Sequence, residues 1–297
     1  MRKLCTVAFI NKRGTFIENM EPATNSLCKT KQVLELKGVC HSFSYCQESH
    51  MLLLCDSFNW TIEQYTFSTS GLSPPEAVEF DQSLSNPTCV HIAGKMGAVF
   101  VGCDSNEGVY VFDCTFQLIK IFAQNMKMDF NHIAVTDEAK DQIEVYMTSV
   151  NSDKLTKWDY KSGAVLGELS VTKPENITHK DDKLYLICRV DSTECVLVVI
   201  KNSLKIFSKI IVNCWFSLGG LCIDESCNVI TSACRVVNGS QRRSILTVDD
   251  KGDIILQVML DFDEHTLVSD MVVVENDLIM LTYEPGPEFN LKTIVFK

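Results

Sequence analysis

The residues of this chain best suited to chemistry are its fourteen cysteines. Zinc sites need closely paired ligands, and the chain contains no Cys-x-x-Cys; the nearest pairs are spaced like Cys222 and Cys227 or Cys40 and Cys46. Most cysteines stand inside apolar runs such as LLLCDS, LYLICRV and GGLCIDE. There a reduced thiol acts as a small buried hydrophobe. Histidines and carboxylates form a mixed set: Cys89, His91, His132, Asp137, Asp224 and Asp270 fall on apolar strand segments without a consistent metal-ligand pattern. His91 and His132 occupy similar places in successive segments, so two neutral imidazoles could meet. No G-x-S-x-G elbow, H-E-x-x-H, P-loop or EF-hand loop is present. No catalytic residue, metal or cofactor is therefore expected.

Charge narrows the partners. Lys and Arg total 27 against 38 acids, a formal net charge of -11, which opposes binding to a polyanion. DNA is not expected, RNA is disfavoured, and a protein or peptide ligand fits better. No apolar stretch has the length of a membrane span, and the run in MRKLCTVAFINKRG is shorter than a secretory core. A cytoplasmic location without membrane association is expected.

The elements that must position these groups follow from a repeat. Short runs rich in Val, Ile, Phe, Tyr and Thr alternate with turn residues, which predicts an all-β chain. LLLCDSFNWTIEQYTF and VFVGCDSNEGVYVFD share a CDS tripeptide, and equivalent points recur near Met147, Cys188, Cys234 and Thr282, spaced 41 to 48 residues apart. That period predicts four-stranded blades of a β-propeller. The expected architecture is one domain over residues 1–297 with six blades, at 33–80, 86–126, 127–171, 172–212, 215–262 and 265–297, the last completed by N-terminal strands within 3–20. In each blade the first strand is read as the nearly continuous apolar run (CVHIAG, FNHIAV, GGLCID, SDMVVV), followed by an acidic turn such as DESCN. A polar loop, a third strand and a turn such as DDKGD or DYKSG lead to a more polar fourth strand. CTVAFINKRGTFIENM reads as a third strand, turn and fourth strand, and the closing KTIVFK as another third strand. N-terminal strand exchange would remove a raw sheet edge.

The frame in VFVGCDSNEGVYVFD and GGLCIDESCNVITSACRVVNGSQRRSILTVDDKGDIIL resembles the NHL repeat, as in the C-terminal propeller of tripartite-motif proteins. The resemblance implies a platform that recognises a protein partner or substrate for a ubiquitin-ligase assembly. The chain shows no RING cysteine pattern, B-box or heptad segment, so it is not expected to ligate ubiquitin by itself. RNA-binding members of that family use basic and aromatic side chains. The candidates in this chain are Trp60, Asn106, Arg189, Arg235, Arg242, Arg243 and Tyr283, placed in inter-strand loops on one rim. Acids on the same loops, including Asp56, Asp104, Glu107, Asp153, Asp191 and Glu284, would repel a nucleic-acid backbone. The alternatives are a calcium-dependent propeller hydrolase or lactonase and an RNA-binding NHL domain; KWDYKSG leaves a seven-bladed WD-type ring as a minor one.

Overall fold

The computed structural model describes residues 4–11, 35–37, 40–56, 59–68, 71–104, 108–124, 130–136, 143–190, 193–212, 215–237, 240–260, 267–274 and 277–283. Contacts divide the chain into two compact units, one of Met1–Lys37 with Ile210–Lys297, the other of Gly38–Lys209. The described secondary structure is almost wholly strand, with one short 3-10 turn at Gly94–Met96.

The strands, in chain order, are β1 (Leu4–Asn11), β2 (Glu35–Lys37), β3 (Cys40–Cys46), β4 (Met51–Asp56), β5 (Thr61–Ser68), β6 (Gly71–Leu72) and β7 (Glu76–Ala77). Next come β8 (Pro87–Ala93), β9 (Ala98–Cys103), β10 (Gly108–Asp113), β11 (Leu118–Phe122), β12 (His132–Thr136), β13 (Glu144–Ser149), β14 (Lys154–Asp159) and β15 (Val165–Ser170). The remainder are β16 (Ile177–Lys180), β17 (Lys183–Val190), β18 (Thr193–Ile200), β19 (Lys205–Ile210), β20 (Phe216–Ile223), β21 (Val229–Val237), β22 (Ser240–Val248), β23 (Ile254–Met259), β24 (Leu267–Val274) and β25 (Asp277–Tyr283). β8–β11, β12–β15, β16–β19 and β20–β23 are each a four-stranded antiparallel meander. The sheet β2-β1-β25-β24 is a fifth, and in it β1 pairs β25 from Thr6↔Thr282 to Asn11↔Asp277. The N-terminal strand thus completes the last sheet, as the repeat count required. Its outer neighbour is β2, whereas a strand within 12–20 was expected; that stretch and the expected KTIVFK strand lie outside the described residues.

Five rather than six four-stranded blades are observed among the described residues. The sheet containing β3, β4 and β5 has five strands because its outer position is split. β6 pairs the far end of β5 through Phe67↔Leu72, and β7 pairs the near end through Glu63↔Ala77. Pro74 and Pro75 stand between the two pieces, and proline cannot donate to a ladder, so one continuous fourth strand is impossible there.

Burial corrects a second expectation. Fully buried runs lie on the middle strands: Leu52 to Cys55 on β4, Val99 to Cys103 on β9, Val109 to Phe112 on β10, and Leu184 to Cys188 on β17. The first strands divide: β12 and β20 are buried over residues 133–136 and 218–222 as expected, whereas β8 and β16 are half-buried at His91 and His179. A middle strand has a ladder on both sides and an apolar layer on both faces, so no side chain along it meets water. In the unit Gly38–Lys209 these layers are consecutive. Leu53, Cys55 and Ile62 pack with Val101 and Phe112; Phe100 and Val111 with Val145 and Trp158; Tyr146 and Leu155 with Leu186 and Leu197. The other unit has an equivalent layer in which Ile230 and Ile245 meet Met271 and Met280. The fourth strands are exposed as expected, but they carry apolar side chains at Ile119, Leu166, Ile206, Phe207 and Ile255.

At three third strands, β10, β14 and β22, an aspartate at or just past the strand end organises the turn into the fourth. Asp113 Oδ1 accepts from the amides of Thr115 and Gln117 at 2.8 and 3.1 Å, and Asp249 Oδ1 from those of Lys251 and Asp253 at 2.9 Å each. Asp159 accepts from the amide and hydroxyl of Ser162. These are Asx turns, in which the carboxylate satisfies amides that the reversal leaves unpaired. The CDS tripeptide has a related logic at the end of the second strand. Cys55 and Cys103 are buried hydrophobes, while Asp56 and Asp104 accept from the side-chain amides of Asn59 at 2.6 Å and Asn86 at 3.0 Å.

Candidate functional site

The longest hairpin of the unit containing Ile210–Lys297 is built by β21 and β22, nine residues each. Its pairing runs Val237↔Ser240, Val236↔Gln241, Arg235↔Arg242 and Cys234↔Arg243. The three arginines therefore stand on strands at the hairpin's end rather than in a loop. Side chains alternate across a strand, so Arg235 and Arg242 share one face and Arg243 takes the other. Arg243 is only 4% exposed and donates through Nη1 to Ser232 Oγ at 3.2 Å; it is a framework residue, not a surface contact. Arg242 is exposed, and the guanidinium of half-buried Arg235 lies 5.0 Å from the centre of the Trp215 ring. Neither Arg235 nor Arg242 has an ion-pair partner among the described residues. The described acids in the turns of this sheet, Asp224 and Glu225 and then Asp249, Asp250 and Asp253, sit at its opposite end. At ~3.3 Å per residue the two ends are roughly 20 Å apart.

Trp60 and Arg189 belong to the other unit. Trp60 is 60% exposed with φ 58°, a left-handed conformation uncommon for a bulky residue. The preceding turn is fixed by Asp56, whose Oδ1 accepts from the Asn59 amide at 3.1 Å. Arg189 lies on β17 opposite Glu194, and its Nη2 is 3.0 Å from Glu194 Oε1, so its charge is matched within the fold. Tyr283 is the last residue of β25. Asn106, Glu107, Asp137, Asp191, Glu284 and the side chain of Tyr283 lie outside what the structure describes. Sequence reasoning missed Trp215, which lies in a different segment from the arginine it stacks on, and placed His91 with His132. The electrostatic neighbour of His91 is instead His179 on β16.

Among the described residues no group of three or more His, Cys, Asp or Glu side chains is arranged to hold a metal ion, and no helix is long and apolar enough to cross a membrane. Burial, helped by His179, pushes His91 down from 6.5 to about 3. The unfolded chain therefore binds this proton first, and stability is lost as pH falls from about 6.5 toward about 3. The turn carboxylates Asp113, Asp159 and Asp249 are held below their ordinary value, chiefly by the Thr115 hydroxyl, the Ser162 hydroxyl and the Asp253 amide respectively. Their contribution is present above 3.8 and disappears in stronger acid. Urea midpoints measured from pH 7.5 to 4 should fall steadily for the native chain. His91→Gln should flatten that slope; an unchanged slope would show that His91 is not the group responsible.

With this geometry in hand, the chain can be set beside known proteins. No protein-family model and no curated protein matches it. Solved structures do. A protein of unknown function from Bacteroides caccae is 11% identical with a TM-score of 0.56, covering 87% of each chain. The Dos1 propeller is 12% identical with a TM-score of 0.51, over 87% of this chain and 69% of that one. The fold is an all-β propeller. Its blades are the four-stranded antiparallel meanders described above. A hydrazine synthase of Kuenenia stuttgartiensis matches too, at 11% identity and a TM-score of 0.56 over 82% of this chain and 70% of that one. At such identities the likeness carries the propeller architecture and no activity, since this fold hosts many unrelated functions.

Proposed function

We propose that this propeller is a non-catalytic interaction platform that recognises a protein partner. The observation that carries the reading is Trp60, a large aromatic held 60% exposed on a left-handed turn that Asp56 and Asn59 fix from below. Backbone strain of this kind, and aromatic side chains that reach solvent, concentrate at recognition sites. Exposed Arg242 and half-buried Arg235, without an ion-pair partner among the described residues, supply a second contact chemistry. The NHL-like repeat frame adds a setting: the recognition part of a ubiquitin-ligase assembly, where a platform selects the protein that other components modify.

The test is quantitative affinity capture with native, Trp60→Ala and Lys161→Ala baits. Trp60 packs little of its surface, so Trp60→Ala should leave the melting temperature within about 2 °C, consistent with a surface change of under about 0.5 kcal/mol. It should still lose the partners that the exposed-turn control Lys161→Ala retains. Identical partner sets for all three baits would overturn the reading.

A further inference from the structure

We propose that the end of the β21–β22 hairpin is a binding site for a phosphate monoester carried on a peptide, gripped by Arg235 and Arg242 with Trp215 as the backing surface. The proposal rests on the platform reading and names the chemistry that one part of the platform takes.

Arg235 and Arg242 are directly opposed in an antiparallel ladder, where facing side chains start about 4.5–5.5 Å apart and like charges repel. A sheet normally avoids such a pair or interleaves an acid. Here no acid is supplied among the described residues, and the turns that carry Asp224, Glu225, Asp249, Asp250 and Asp253 are at the other end of the same strands. The Arg235 Nε is buried and has no hydrogen-bond partner among the described residues. The cation–π contact with Trp215 at 5.0 Å restrains its guanidinium, which reduces the ordering needed when a ligand arrives. The arrangement is a doubly positive pair in which one guanidinium is already restrained and one donor is unused.

The ligand follows from that charge count. A carboxylate brings a single negative charge, whereas a phosphate monoester brings about -1.5 to -2 and three acceptor oxygens, enough to engage two guanidiniums at once. The surroundings favour a peptide carrier. The Trp215 ring, 5.0 Å from the Arg235 guanidinium and only half-buried, gives an apolar residue flanking the phosphate something to cover. RNA is the weaker fit, because its affinity comes from many phosphates neutralised along a basic track. The site is two arginines wide on a chain of net charge -11.

The experiment uses the full chain and needs no natural partner. A fluorescent degenerate peptide library with one fixed phosphoserine is titrated by anisotropy beside the same library unphosphorylated, with inorganic phosphate as competitor and labelled oligouridylate as the RNA arm. The phosphorylated library should bind at least tenfold more tightly than the unphosphorylated one, and millimolar phosphate should displace it. Arg235→Gln and Arg242→Gln should each weaken binding about tenfold or more. Arg242 is exposed and its replacement relieves like-charge repulsion, so Arg242→Gln should not lower the melting temperature, and a loss of binding in it is not a loss of fold. Equal binding of the two libraries, undiminished binding by Arg242→Gln, or tighter binding of oligouridylate would each overturn the proposal. Such a failure leaves the Trp60-dependent capture of protein partners untouched, and failure of that capture leaves the phosphate result untouched.

Discussion

Glu144→Leu is expected to cost the fold about 3–5 kcal/mol, the usual penalty for stripping a buried charge of its partner. Lys157, on the middle strand β14, is 8% exposed, and its Nζ lies 2.8 Å from Glu144 Oε1 on the neighbouring β13. The Tyr146 hydroxyl donates to the other carboxylate oxygen at 2.5 Å, and burial together with this carboxylate pushes the phenol well above its usual range. Without Glu144, the Lys157 ammonium keeps one long bond to the Lys201 carbonyl, at 3.4 Å. Lys157→Met should be milder, because Glu144 is 21% exposed and retains the Tyr146 hydroxyl. The double variant should recover most of the loss, since an apolar pair of similar volume needs no desolvation. Urea unfolding of the four proteins gives the cycle. Single variants that each cost under about 1 kcal/mol would show that the pair is solvated.

This network also shows where the sequence is silent. KWDYKSG reads as a strand and turn, and the turn is there, with Asp159 accepting from Ser162. Nothing in the string says that the lysine before the tryptophan is buried, because its partner sits thirteen residues back on another strand. The repeat spacing, the exchanged N-terminal strand and the aspartates of the turns were legible because each is a local or periodic property. Continuous burial was read on the first strands, which holds for β12 and β20 but not for β8 and β16, since apolar composition alone does not tell a strand covered on both faces from one that lines an open side. The arginine cluster was legible as a cluster, but not as a geometry. Successive residues on a strand face opposite ways, so Arg242 and Arg243 could not both be surface contacts. Counting outward from the pair Val237↔Ser240 matches 235 with 242 and 234 with 243. That count was available in the sequence, whereas the stacking of Trp215 was not.

The backbone that carries Trp215 is the subject of the other large effect. Gly219→Ala should destabilise the fold by at least about 3 kcal/mol, at the upper end of the cost of overpacking. A Cβ on Gly219 would stand 2.1 Å from the carbonyl oxygen of Val268 on β24 and 3.3 Å from Ser232 Oγ. The first obstacle is backbone and cannot rotate away. Both strands are irregular at this point: the β20 register shifts on either side of Gly219, and the β24 register shifts between Val268 and Asp270. Ser232 and Thr231 fix the irregularity by donating to the carbonyls of Gly219 and Gly220 at 2.7 and 3.0 Å. Gly220 adds φ 61°, so the kink needs two consecutive glycines for different reasons, room at one and a left-handed backbone at the other. The control is Gly97→Ala, at φ 63° with no atom within 4 Å of the added carbon. It should cost only the left-handed penalty of about 1–2 kcal/mol. Trp215 immediately precedes β20, so a partly relaxed Gly219→Ala protein should also lose the ring from under Arg235 and bind the phosphorylated library more weakly. Equal stability losses at the two glycines would mean that β20 and β24 do not approach as described, and the seat of Trp215 would then have to come from elsewhere in the blade.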